Sequence, residues 1–154
     1  MYVILNVHHE KWNKPTNDNI ENGKRVMELI WEQIAYEFKD YGNRLIFEGQ
    51  NEPRNYDGYN EWYSPESDWM TNVNELNKVF VQTVRETGGN NSSRMLMLPD
   101  YAASIDPTIM AGWTKIAGDN NIIVSLHAYS PYEFAMNSGG SYNDTHRANW
   151  VCLI

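Results

Sequence analysis

A chain of 154 residues is long enough for one domain with a real core and too short for a complete eight-stranded α/β barrel. Acidic side chains outnumber basic ones by 20 to 12, a net charge of −8 with no Lys/Arg run, which argues against nucleic acid or an anionic membrane as partner and leaves a neutral polymer open. The single cysteine, Cys152, cannot close an internal disulfide, and neither a signal peptide nor an apolar run of membrane length stands in the sequence, so nothing in it is expected to target or span a membrane.

The chain alternates short apolar runs with amphipathic stretches. Val3 to Val7 predicts a strand. From Ile20 to Phe38, apolar residues at Val26, Leu29, Ile30, Ile34 and Phe38 recur with the period of a helix. Leu45-Ile46-Phe47 predicts a second strand, followed by a polar, Tyr-rich loop. A second helix is expected from Asp68 to Glu86 through Trp69, Val73, Leu76, Val79, Phe80 and Val84, and Gly88-Gly89 ends it. Met95 to Leu98 predicts a third strand running into Pro99-Asp100-Tyr101. A short helix is expected from Pro107 to Ala117, then a fourth strand over Ile122 to Leu126. The order β-α-β-α-β-α-β implies a parallel sheet and an α/β fold.

Parallel strands buried on both faces should be apolar throughout, so each polar residue on one needs a reason. Asn6 and His8 share a face of the first strand by alternation, Glu48, Gln50 and Glu52 share one on the second, and Ser125, His127 and Tyr129 on the fourth. Singly, each has a bland reading: a strand-end His satisfied by its neighbours, or a Glu solvated in a loop. Together they converge on C-terminal strand ends, where barrel enzymes keep their chemistry. Trp12, Tyr56, Tyr59, Trp62, Tyr63 and Trp69 lie in polar, turn-like context. That suits either edge-of-core packing or a cleft on which sugars stack.

Three runs carry a family resemblance: Val3-Ile4-Leu5-Asn6-Val7-His8-His9-Glu10, Leu45-Ile46-Phe47-Glu48-Gly49-Gln50-Asn51-Glu52-Pro53-Arg54, and Val124-Ser125-Leu126-His127-Ala128-Tyr129-Ser130-Pro131. In this order and spacing the chain resembles glycoside hydrolase family 5, most of all its subfamily 4 endoglucanases and xyloglucanases. The stretch Arg94 to Tyr101 is similar to that subfamily's fifth barrel strand. The resemblance implies a (β/α)8 TIM barrel, about half of which, strands three to six, is represented. It covers the chain to about residue 135, with 136–154 as a tail outside it, all within one partial catalytic domain over 1–154.

The same resemblance implies site roles. Glu52 would be the general acid/base, first protonating the leaving glycosidic oxygen and then taking a proton from water. Asn51 would bond the 2-hydroxyl of the sugar at the cleavage point. His8 and His9 would line the cleft, and His127 and Tyr129 would sit between the two catalytic carboxylates. Trp12, Tyr101 and Arg54 join His9 as expected contacts to the sugar.

The family's nucleophile is a Glu in a Gly-Glu-Phe-Gly-like run on the seventh strand, and no such run follows Tyr129. The nearest spare carboxylates, Glu133 and Asp100, do not match that position. The implied function is therefore part of a retaining endo-β-1,4-glucanase acting on a β-1,4-glucan, secreted, and needing neither cofactor nor metal. A half barrel would leave two sheet edges open, which makes a homo-oligomer a further expectation. Two alternatives stand beside it. One is a non-catalytic half barrel that only binds oligosaccharide. The other is a metal-dependent hydrolase using His8, His9, Glu10, Glu52 and His127, which the opposite facing of adjacent strand residues His8 and His9 argues against.

Overall fold

The computed structural model describes residues 1–8, 10–56, 58, 61–63, 65–130 and 135. Four strands form one parallel sheet in sequence order: β1 (Val3–Asn6), β2 (Leu45–Glu48), β3 (Leu96–Pro99) and β4 (Ile122–Ser125). Val3 pairs with Leu45, Phe47 with Leu96, and Leu96 with Ile122. Between them run α1 (Ile20–Glu37), α2 (Ser67–Glu86) and the single turn α3 (Pro107–Met110). Parallel neighbours need a crossover of this length, and the helices in those crossovers cover one face of the sheet.

That covered face holds the core. Phe47, Leu96 and Leu98 of the sheet pack against Met27, Trp31 and Ala35 of α1 and against Leu76, Phe80 and Val84 of α2, all fully buried. Trp31 lies at the centre, its ring 5.3 Å from that of Phe47 and 4.6 Å from that of Phe80, while its indole N–H donates to the Gly49 carbonyl. A Cβ on Gly49 would meet the Phe80 ring at 2.7 Å, so only glycine lets the end of β2 approach α2 this closely.

The α1 stripe differs from the sequence expectation by one position. Gly23, Met27, Trp31 and Ala35 face the core, whereas Leu29 is half exposed and Val26, Ile30 and Ile34 are flanking residues. The i, i+4 series that seats the large Trp31 ring and satisfies its N–H decides the rotation of the helix. The α2 stripe is as expected, with Val73, Leu76, Phe80 and Val84 buried, and Gly88 and Gly89 take positive φ values after it.

The helix expected over Pro107 to Ala117 stops at Met110. Asp106 caps its start by accepting from the Thr108 N–H, but Asn74 of α2 then captures the chain. Its side chain donates to Gly112 O and accepts from Thr114 N–H, so these backbone groups bond across to α2 and not along a helix.

Among the described residues β1 pairs only with β2 and β4 only with β3. Val3 and Ile4 on one edge and Val124 on the other are 42–52% exposed. Such edges are templates for further strand pairing. The 154-residue chain in isolation is therefore expected to self-associate, and sedimentation velocity should give a mass above that of the monomer. A single compact monomer boundary would contradict this.

Candidate active site

Beyond the last residue of each strand the backbone goes on linking its neighbours. Asn51 N–H donates to Val7 O at 3.0 Å, Ala102 N–H to Pro53 O at 2.9 Å, and His127 N–H to Ala103 O at 2.8 Å. These rungs tie the four segments after β1, β2, β3 and β4 in order. Glu52 sits between the two residues of its own segment that are so anchored, Asn51 and Pro53.

The Glu52 side chain is 8% exposed. One carboxyl oxygen, Oε1, lies 2.7 Å from Nδ1 of His127. The other, Oε2, is 3.7 Å from Nη1 of Arg54, which also donates to the Glu52 backbone carbonyl at 3.0 Å. Arg54 is itself held between two aromatic faces, its guanidinium carbon 3.6 Å from the ring centre of Trp62 and 4.4 Å from that of Tyr56. A planar cation stacked in this way loses little freedom when it bonds a carboxylate. Glu52 thus has an imidazole nitrogen at one oxygen and a fixed positive charge near the other.

Below this pair lies a second polar layer. Asn6 of β1 donates to Glu48 Oε2 at 2.9 Å, and Ser125 Oγ of β4 donates to Glu48 Oε1. The alternation argument thus holds for Asn6, Glu48 and Ser125, which meet across the sheet. It fails for Gln50: β2 ends at Glu48, the strand period lapses at Gly49, and Gln50 turns to bond Asn77 of α2 and Asn13.

The remaining expected contacts are distributed unevenly. His127 is partly buried and Tyr129 half exposed, their rings edge to face at 6.5 Å. His8 is exposed just beyond β1, and Asn51 is buried next to Glu52. Two expected sugar contacts are partly or wholly covered by the protein. Tyr101 is 1% exposed, with its hydroxyl accepting from Asn55 N–H and donating to Glu61 O. Trp12 packs against the main core. Arg54 is almost covered by Tyr56 and Trp62, so its charge faces Glu52 and Glu61 more than open solvent. His9, Tyr59, Glu133 and 136–154 lie outside the described residues. Among the described residues no group of three or more His, Cys, Asp or Glu side chains converges as metal ligands do.

Sequence reasoning gave Asp100 no role. It is 3% exposed, its Oδ1 accepts from Ser104 N–H at 2.6 Å, and its Oδ2 is buried with no hydrogen-bond partner among the described residues. Burial, partly offset by the Ser104 amide, raises its pKa from 3.8 to about 6. A folded-state value above the unfolded one means that the neutral carboxyl favours the fold below the unfolded pKa, and that this contribution is lost as pH rises through the folded one. By neutrality it amounts to about 3 kcal/mol. Asp100→Asn, uncharged at every pH and still able to accept from Ser104, is expected to match the parent in urea unfolding near pH 4 and to exceed it near pH 8. Parallel stability curves for the two proteins across that range would refute the assignment.

A parallel sheet whose C-terminal strand ends carry a buried Glu, its neighbouring Asn and an imidazole in contact has the form of part of a β/α-barrel enzyme. The family model Cellulase (glycosyl hydrolase family 5) matches residues 1–152, and the chain belongs to that family. It is 46% identical over 154 residues to endoglucanase B of Neocallimastix patriciarum, covering 97% of this chain and 33% of that protein. It is 41% identical over 159 residues to endoglucanase A of Ruminococcus albus, covering 99% of this chain and 43% of that protein. The chain thus spans well under two thirds of the relatives it matches.

Among solved structures, a subfamily 4 broad specificity endoglucanase from Ruminococcus champanellensis with bound cellotriose superposes with a TM-score of 0.87 at 41% identity, over 96% of this chain and 44% of that one. The corresponding enzyme from Clostridium acetobutylicum gives 0.86 at 42% identity, over 92% and 43%. The α/β sheet described above therefore matches part of the TIM barrel of this family.

Proposed function

We propose that this chain carries the acid/base side of the cleft of a retaining endo-β-1,4-glucanase. The observation that supports this most is the Glu52 carboxyl, buried at the C-terminal end of β2, with His127 Nδ1 at 2.7 Å and the stacked Arg54 beside its other oxygen. In this reading Glu52 protonates the glycosidic oxygen as the bond breaks and later takes a proton from the water that releases the sugar. His127 holds the carboxyl at Oε1 during both transfers, and Asn51 bonds the 2-hydroxyl, where contacts strengthen as positive charge develops on the sugar ring. His8 and His9 line the cleft, and Tyr129 stands on the side from which a nucleophile would approach.

Trp12 is partly buried against the core, and Trp62 offers a second aromatic platform, since one face covers Arg54 while the residue remains 37% exposed. A pyranose presents C–H groups to such a ring. The reaction uses carboxyl chemistry alone and calls for no metal or cofactor. A glucan polymer does not cross a membrane, which supports an extracellular place of action. Reducing-sugar release from carboxymethylcellulose, xyloglucan and mixed-linkage glucan by a barrel that joins this chain to a nucleophile-bearing strand, and its loss on Glu52→Gln, tests the proposal. Saturable cellohexaose binding without product would favour instead the oligosaccharide-binding half barrel.

A further inference from the structure

The segment Asp100–Ser104, directly after β3, concentrates three unfavourable features. Ala102 and Ala103 both hold positive φ, 60° and 48°, and they are the non-glycine residues that do so among the described ones. Both are buried. Asp100 buries a carboxyl oxygen without a partner among the described residues. Left-handed backbone at two successive alanines persists only where the surroundings over-determine it, and such strain gathers at functional sites.

What the segment holds is specific. Ala102 N–H donates to Pro53 O, the residue after Glu52, and Ala103 O accepts from the N–H of His127 itself. The two partners whose side chains meet at 2.7 Å are thus hung from adjacent residues of one turn. Asp100 closes that turn, its Oδ1 accepting from Ser104 N–H and its backbone carbonyl accepting from Ala103 N–H at 3.2 Å. Among the described residues, burial and backbone amides set the environment of Asp100.

We infer that Asp100 is a positioning residue: through the strained Ala102–Ala103 turn it sets the separation between the Glu52 carboxyl and the His127 ring. The inference deepens the acid/base reading of Glu52 and rests on it for its catalytic meaning. Asp100 touches neither group and moves no proton. It fixes the backbone positions from which both side chains are projected, so that the hydrogen bond between them is already formed before substrate arrives.

The test follows the His127 ring and not turnover. In the 15N-labelled chain, the His127 Nδ1 resonance, assigned by its loss in His127→Gln, reports the bond to Glu52, and Glu52→Gln calibrates how far it moves when that bond is altered. Asp100→Ala is expected to shift this resonance toward that of a free imidazole, while Asp100→Asn, which keeps the acceptor for Ser104, returns it to the parent position. If Asp100→Ala does not fold, the double variant Ala102→Gly/Ala103→Gly serves instead. It adds no bulk, permits the same φ values and frees the turn from them, and it should move the resonance in the same direction. A folded Asp100→Ala or double-glycine protein with the parent Nδ1 resonance would overturn the inference. That result would leave the acid/base reading standing, because the latter is decided by polysaccharide hydrolysis and not by this signal.

Discussion

In a barrel that joins this chain to a strand bearing the nucleophile, Glu52→Gln is expected to lower hydrolysis of carboxymethylcellulose by on the order of 10²–10⁴-fold, the range that a positioned general acid/base contributes. Glutamine has nearly the shape of glutamate and still offers an oxygen toward His127 Nδ1, so the fold should be undisturbed and only the proton lost. The leaving group then decides how much the variant suffers. A glucan alkoxide departs only when protonated, whereas a nitrophenolate departs without help, so formation of the glycosyl intermediate from an aryl cellobioside should be largely spared. Equal losses on both substrates, or no loss on the polymer, would remove Glu52 from the acid/base role.

Arg94→Ala should have the largest effect on stability. Arg94 is 2% exposed and donates to the carbonyls of Phe38, Tyr41, Gly42 and Leu45 and to Asn91 Oδ1, at 2.6 to 3.2 Å. Its guanidinium also lies 4.7 Å from the Phe47 ring centre. Truncation removes these charge-assisted hydrogen bonds, at about 1.5–3 kcal/mol each, and opens a cavity beneath β2, although Phe38 O, Tyr41 O and Gly42 O each keep a second donor. The total is comparable with the whole stability of a small domain, about 5–15 kcal/mol, so the variant is expected not to fold. Arg94→Lys should recover only part of the loss, since one ammonium cannot span the carbonyls that the planar fork reaches. Urea unfolding of both variants decides the matter; a parent-like midpoint for Arg94→Ala would show that these bonds do not hold the fold together.

Much of the fold was legible because parallel strands separated by amphipathic helices leave a plain pattern. The four strands fall within a residue or two of where their apolar runs put them. The rotation of α1 was not legible, because Val26, Ile30 and Ile34 on one side and Met27, Trp31 and Ala35 on the other are nearly equal in hydrophobicity, and only the seat of Trp31 separates them. The three buried asparagines of α2 were also hidden. Asn72, Asn74 and Asn77 drew no expectation from the sequence, yet they anchor Pro15 O, Gly112 O and Pro99 O respectively.

In the site, alternation along the strands found the Asn6–Glu48–Ser125 layer without any coordinates, since strand parity alone determines which side chains share a face. Alternation also put Glu52 and His127 on converging faces, although both lie beyond the strand ends, and the family resemblance then supplied their roles and that of Asn51. Arg54 was expected to touch sugar, and its neighbours place it against Glu52 instead. Asp100 and the left-handed alanines had no sequence signal, because alanine is not a residue that announces positive φ.

The strictly sequential order of the sheet has a consequence for how it is made. Each strand pairs with the one synthesised just before it, so a chain leaving the ribosome can add strands one at a time at a growing edge without reopening earlier pairs. Glu48, however, takes its last hydrogen bond from Ser125, 77 residues later in the chain. Until β4 emerges, that carboxyl is capped only by Asn6 and faces water. Closure of the polar layer beneath the candidate site is therefore a late event, tied to the slowest and most distant contact of the sheet.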